Sequence, residues 1–275
     1  MRLKIIQKVL GLLLALFSIT ILPSLMVSIV LADGAHNAFL IAITVTLVGG
    51  ALMWLPVKNF SGELRLRDGF IIVVLFWLVL GQCGSIPFLA VQNPQMSVID
   101  SIFESISGLT TTGATVLEDI DEVVPSLLFY RQFLQWLGGM GIIVLAVAVL
   151  PMLGVGGMQL YRAETPGPMK ESKLTPRIKE TAKMLWYIYL SLTICCAVAY
   201  YLAGMSFFDA VAHSFSTVAI GGFSTQNMSI GYFDNAMIEL VAIIFMFVAG
   251  VNFTLHFISW RQKSITHYLK DSEFV

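Results

Sequence analysis

Apolar residues occupy this chain in long blocks separated by short polar stretches. Blocks at about 9–31, 38–57, 69–90, 126–153, 183–204 and 233–260 match the ~20 residues that a helix needs to cross ~30 Å of hydrocarbon. They predict six spanning helices. Two further segments, about 97–109 and 206–217, are amphipathic and too short to span, and each runs straight into a stretch rich in glycine and hydroxyl residues. These predict half-membrane, re-entrant helices followed by non-helical backbone, which is tolerated at membrane depth only where protein buries it or where it lines a watery path.

Composition strengthens this picture. Of 275 residues 57% are hydrophobic and 12% charged, the mean hydropathy is +0.84, and soluble domains carry roughly 25% charge. The fold class is therefore an all-α polytopic membrane protein. The apolar N-terminal block is too long for the core of a secretory signal and lacks a small-x-small cleavage pattern, so it is expected to be a retained helix. Cys83, Cys195 and Cys196 lie inside apolar segments without metal-ligand spacing and read as packing residues.

Charge adds an orientation. With a cytoplasmic N-terminus, Arg2, Lys4, Lys8, Lys58, Arg65, Arg67, the cations from Arg162 to Lys183, and Arg261, Lys263 and Lys270 all fall inside, leaving only Arg131 of the 16 lysines and arginines. This is the positive-inside pattern. Asp33, Glu118, Asp119, Asp121, Glu122 and Asp234 then lie outside, where an acidic mouth would concentrate cations, although each carboxylate could equally serve only to solvate a loop. No single basic face exists for nucleic acid.

The candidate chemistry sits in the two polar stretches. Ser107–Val116 reads SGLTTTGATV. Its Thr110-Thr111-Thr112-Gly113 run predicts extended backbone with one glycine free to adopt positive φ, and such backbone lines up the carbonyls that a cation filter uses. A shift of 109 residues lays Ser97, Asp100, Ser105, Ser107 and Gly113 on Ser206, Asp209, Ser214, Ser216 and Gly222 without a gap, so the chain holds an internal repeat of helix, short helix, glycine loop and helix. The second loop carries Ala219, Ile220, Gly221 and Gly222. Asp100 and Asp209 follow their serines as N-terminal caps, and the partial negative C-terminal end of each short helix faces its loop. Carbonyls of Thr111, Thr112, Ile220 and Gly221 are the leading ligands, with those of Thr110, Gly113, Ala219 and Gly222 beside them.

Competing chemistry is poorly supported. A phosphate cradle needs a lysine and a following helix N-terminus, and neither loop has a lysine nearby. There is no HExxH and no GxSxG, so a hydrolase is not expected. A secondary transporter with broken helices is the rival, but it predicts inverted repeats and these run in the same direction. Arg131, near the outer start of its helix with Gln132 and Gln135, is a candidate to bond loop carbonyls or a carboxylate such as Glu104, or to gate. Asn252 is a candidate for a bond across helices, and His213 reads as a local packing or hydrogen-bonding residue.

The residues SGLTTTGATVL, STVAIGGFST, QWLGGMGIIVLAVAVLP and MQLYRAETPGP, on repeats preceded by two extra helices, resemble the membrane subunit of bacterial Trk-type potassium uptake systems, in the Trk/Ktr/HKT superfamily and of its TrkH type. The resemblance covers the whole chain. It implies potassium uptake across the bacterial inner membrane through a carbonyl-lined selectivity filter with the potassium ion as cargo and no organic cofactor. It further implies a homodimer and gating by a cytosolic nucleotide-binding ring. Such subunits have four pseudo-equivalent repeats, and two are found here. The organisation expected is two extra helices over 1–60, a first repeat over 61–157, a cytoplasmic connector over 158–180, a second repeat over 181–263 and a tail over 264–275. The chain then corresponds to the N-terminal half, and a truncated, non-conducting fragment is the alternative.

Overall fold

The computed structural model describes residues 3–60, 66–141, 178–251, 253–262 and 264–271. These are helical, with no strand among them. The first apolar block forms α1 (Leu3–Thr20) and α2 (Leu22–Leu31), broken lightly at Ile21 with Pro23 in the first turn of α2, where proline's missing amide costs no helical bond. Next come α3 (His36–Trp54), α4 (Leu66–Gly84) and the short α5 (Ile86–Ala90). The short helix α6 (Val98–Leu109) and α7 (Pro125–Gly139) complete the first repeat as far as it is described. Beyond lie α8 (Ile178–Leu202), the short helix α9 (Phe207–Val218), α10 (Ala236–Gly250), α11 (Phe253–Gln262) and α12 (Thr266–Lys270).

Leu3–Leu31, His36–Val57, Ile71–Ala90 and Lys183–Leu202 are each long and apolar enough to cross a bilayer. The block at 126–153 is seen as α7 and the residues to Gly141, its remainder lying outside the described residues. The block at 233–260, expected as one span, is broken: α10 and α11 meet at 90°. Gly250 weakens the helix there, and Val251 is extended at φ −70°, ψ 140°. The freed Val248 carbonyl accepts from the Val251 amide at 3.2 Å and from His256 Nε2 at 2.9 Å, which re-satisfies backbone that hydrocarbon could not. Asn252, at this corner, lies outside the described residues.

Two large apolar clusters, beside a small one of Leu185, Ile188 and Phe257, fill the interior of the described residues, and the α7 segment contributes to both large ones. Leu127, Leu128, Tyr130 and Leu134 join the cluster made by α1 to α6, while Phe133, Trp136 and Met140 join the one built with α8, α9 and α10. On the first side, α1 and α3 touch backbone to backbone: a Cβ at Gly11 would stand 2.7 Å from the Trp54 amide nitrogen and one at Gly50 2.6 Å from that of Ala15. Small residues at such a crossing supply the close packing that holds helices together where no water drives them.

Asp33, between α2 and α3, fastens the start of α7. Its Oδ2 accepts from the Ser126 amide at 2.9 Å, and its Oδ1 accepts from the Ala35 amide at 3.1 Å and from the Ser28 hydroxyl. Burial pushes this carboxyl up, but the bonds from Ser126, Ser28 and Ala35 outweigh it and hold the group below its ordinary value. A carboxyl whose pKa is lowered on folding stabilises the fold above its unfolded value and loses that contribution as pH falls through the folded one. Thermal unfolding measured down through the acidic range should show this loss in the parent, and Asp33→Asn should flatten that part of the profile. An unchanged acid limb would sink the assignment.

Candidate functional site

The two short helices repeat each other residue for residue at the 109 spacing. Both have 12 residues. The Ser97 hydroxyl donates to Asp100 Oδ2 at 2.7 Å and accepts from the Asp100 amide at 3.1 Å; Ser206 and Asp209 do the same at 2.6 and 3.1 Å. Each pair satisfies an otherwise orphan amide of the first turn and puts a carboxylate at the positive end of the helix.

The C-terminal ends repeat as well. The Thr112 amide reaches the Ser107 carbonyl at 2.9 Å and the Thr111 amide that of Gly108 at 3.0 Å; the Gly221 amide reaches Ser216 at 2.8 Å and the Ile220 amide Thr217 at 3.1 Å. This paired pattern is a Schellman closure, in which one residue turns left-handed. Here that residue is Thr111 at φ 55° and Ile220 at φ 53°, and Gly113 and Gly222 follow at φ 76° and 85°. The expected extended run is therefore corrected: each loop leaves its helix through a tight turn in which a β-branched residue holds a conformation that costs it roughly 1–2 kcal/mol. Strain of this kind persists where the surroundings over-determine the backbone.

The carbonyl inventory of the loops is uneven. Among the described residues, no donor reaches the carbonyls of Thr110, Thr111, Thr112, Gly113, Ala219, Ile220 or Gly222, whereas the Gly221 carbonyl accepts from Gln135 Nε2 at 2.7 Å. Thr110, Thr112, Ile220 and Gly222 are exposed, and Gly221 is buried. Backbone acceptors are seldom left without a partner, and a cluster of them on adjacent loops can replace the hydration shell of a bare cation. The loops are in direct contact, for a Cβ on Gly113 would collide with the Gly221 oxygen.

Behind the loops lies a buried polar network. Arg131, Gln132 and Gln135 of α7 are fully buried, as is Glu104 of α6. Arg131 Nε donates to Glu104 Oε1 at 2.7 Å, its Nη1 to the Ser224 carbonyl at 3.2 Å and its Nη2 to Thr115 Oγ1 at 3.1 Å, and the guanidinium lies 4.3 Å from the centre of the Phe223 ring. Thr115 Oγ1 also donates to Glu104 at 2.9 Å. Gln132 Nε2 donates to the Phe223 carbonyl at 3.2 Å. In the second repeat His213 stands at the place of Glu104 and Ser224 at that of Thr115. Since the Asp209 carbonyl can only accept, His213 Nδ1 donates to it at 2.9 Å and Nε2 accepts from the Ser224 hydroxyl at 2.9 Å. One repeat thus braces its loop with a carboxylate and the other with an imidazole, which no comparison of identities reveals.

The structure brings the two loops into contact at Gly113, Gly221 and Gly222, sets Arg131 against Thr115 and Ser224 just beyond them, and places Asp100 and Asp209 at the far ends of the short helices. Asp209 has a second bond, accepting from Thr225 Oγ1 at 2.6 Å. Outside the loops the acidic segment that follows the first loop is tied to the second repeat: Asn227 Nδ2 donates to Asp119 at 2.9 Å and to Asp121 at 3.0 Å, and its Oδ1 accepts from the Ile120 amide at 2.7 Å.

The sequence profile of a family described as "TrkH: Cation transport protein" matches residues 35–274. This chain belongs to the TrkH family. It is 58% identical over 273 residues to the Trk system potassium uptake protein TrkH of Halomonas elongata, covering 99% of this chain and 57% of that protein, and 53% identical over 274 residues to its Escherichia coli K12 namesake. The crystal structure of the potassium transporter TrkH from Vibrio parahaemolyticus superposes with a TM-score of 0.86 at 54% identity, over 100% of this chain and 56% of that one. Relative to these family members the chain spans a little over half their length.

Proposed function

We propose that this chain supplies two of the carbonyl loops of a potassium uptake pore, the ion passing down the membrane potential with its hydration replaced by backbone oxygens. The observation that carries this reading is the pair of loops related at 109 residues whose carbonyls, seven of eight, have no donor among the described residues. The relatives' names, potassium uptake proteins, supply the ion. Thr111, Thr112 and Ile220 present free carbonyls as direct ligands, with Thr110, Gly113, Ala219 and Gly222 lining the path. Gly221 contributes only a second lone pair, its oxygen being bound already from α7. Asp100 and Asp209 orient the short helices, and Arg131 holds the loops from behind.

The whole transporter is read as a homodimer in the bacterial inner membrane, N-terminus in the cytoplasm, gated by a cytosolic nucleotide-binding ring. A ring of carbonyls needs more than two loops, so the test is made in a chimera in which these residues replace the matching stretch of the Vibrio parahaemolyticus transporter. In potassium-uptake-deficient bacteria it should restore growth at low K⁺ and saturable ⁸⁶Rb⁺ uptake. A chimera that reaches the membrane but moves no Rb⁺ overturns the reading.

A further inference from the structure

We propose that Gln135 is a positioning residue for ion selection, setting where the second loop stands and so how well the pore prefers K⁺ to Na⁺. The proposal rests on the pore reading above. Gln135 is fully buried, and its amide grips the loop on both sides of Gly222: Nε2 donates to the Gly221 carbonyl at 2.7 Å, and Oε1 accepts from the Phe223 amide at 3.1 Å. A primary amide presents one donor and one acceptor at a fixed separation, so this two-point bond fixes both the position and the tilt of the peptide units around the glycine. There is no slack in the fit, since a Cβ on Gly221 would collide with the Gln135 amide.

The anchor for this grip is itself fixed. One helical turn further on, α7 presses against both loops, for a Cβ at Gly138 would collide with the Leu109 carbonyl at the start of the first loop and one at Gly139 would lie 3.2 Å from Ala219 Cβ in the second. Gln135 therefore refers the height of the second loop to the first. The grip is peculiar to the second loop. Thr112, the repeat counterpart of Gly221, has no donor to its carbonyl among the described residues. Whether selection works by cavity size or by the number of carbonyls in reach, a loop free to sag toward a smaller ion would serve Na⁺ better.

The test compares ⁸⁶Rb⁺ with ²²Na⁺ uptake in the chimera at matched membrane levels, for Gln135→Leu, which removes both bonds, and for Gln135→Glu, which keeps the shape and the acceptor but loses the donor to Gly221. Each should lower the Rb⁺/Na⁺ ratio by roughly fivefold to tenfold, the scale set by one buried hydrogen bond. Trp136→Phe, a neighbour on α7 that bonds Thr193 instead, should leave the ratio alone. If Gln135→Leu fails to reach the membrane, the isosteric Gln135→Glu decides. An unchanged ratio in the Gln135 variants, while Gly113→Ser still abolishes selection, overturns the role of Gln135 alone; an unchanged ratio in Gly113→Ser as well overturns the pore reading beneath it.

Discussion

Arg131→Met should be the most damaging single substitution to the stability of this chain, costing about 3–5 kcal/mol, the range found when one member of a buried ion pair is removed. The reason is what it leaves behind. Glu104 is fully buried, and its Oε1 loses the guanidinium at 2.7 Å while the Ser224 carbonyl and the Phe223 ring lose their cationic partner. Removing both charges together, in Glu104→Leu with Arg131→Met, should recover the larger part of the loss, because two apolar side chains leave no uncompensated carboxylate. The measurement is thermal unfolding of the purified chain in detergent for both singles and the double. A double variant no more stable than Arg131→Met would mean that the pair is not what the arginine is there for.

Gly113→Ser should carry the largest functional effect. At φ 76° a side chain is strained by roughly 1–2 kcal/mol wherever it stands, but here a Cβ must also displace the Gly221 oxygen, whose other side is held by Gln135. One substitution so disturbs both loops. Gly222→Ser is the informative contrast: its φ of 85° imposes the same strain, yet a Cβ there meets open space among the described residues. In the chimera, Gly113→Ser should abolish the preference for Rb⁺ over Na⁺, and Gly222→Ser should reduce it by a smaller factor. Equal losses would show that backbone strain, and not contact between the loops, sets the effect.

The contrast also shows what a linear reading could reach. The 109-residue register was legible because short helices announce themselves by Ser and Asp at their starts, and in the structure it holds down to individual amide bonds. Block length was enough for His36–Val57 and Lys183–Leu202. The left-handed turns at Thr111 and Ile220 were not legible, since threonine and isoleucine are the residues least suited to that conformation, and only the surrounding packing imposes it. The 90° corner after Gly250 was hidden for a similar reason: hydropathy continues through it, and the bond from His256 to the Val248 carbonyl is made in space. Gln135 read as one polar residue in a helix, because its partners lie 86 and 88 residues away.

That separation bears on how the chain can be assembled. Of the buried polar side chains of α7, Arg131, Gln132 and Gln135 brace the site, and of their partners only Glu104 and Thr115 precede α7 in the chain; Gly221, Phe223 and Ser224 are made 86 to 93 residues later. During synthesis Arg131 can enter the bilayer already neutralised by Glu104, since the short helix before it has emerged, and a paired charge is far cheaper there than a bare one. Gln132 and Gln135 have no such early partner. Their bonds close only once the second loop has been made, so the brace on that loop is completed by its late arrival, whereas the Arg131–Glu104 pair needs only residues of the first repeat.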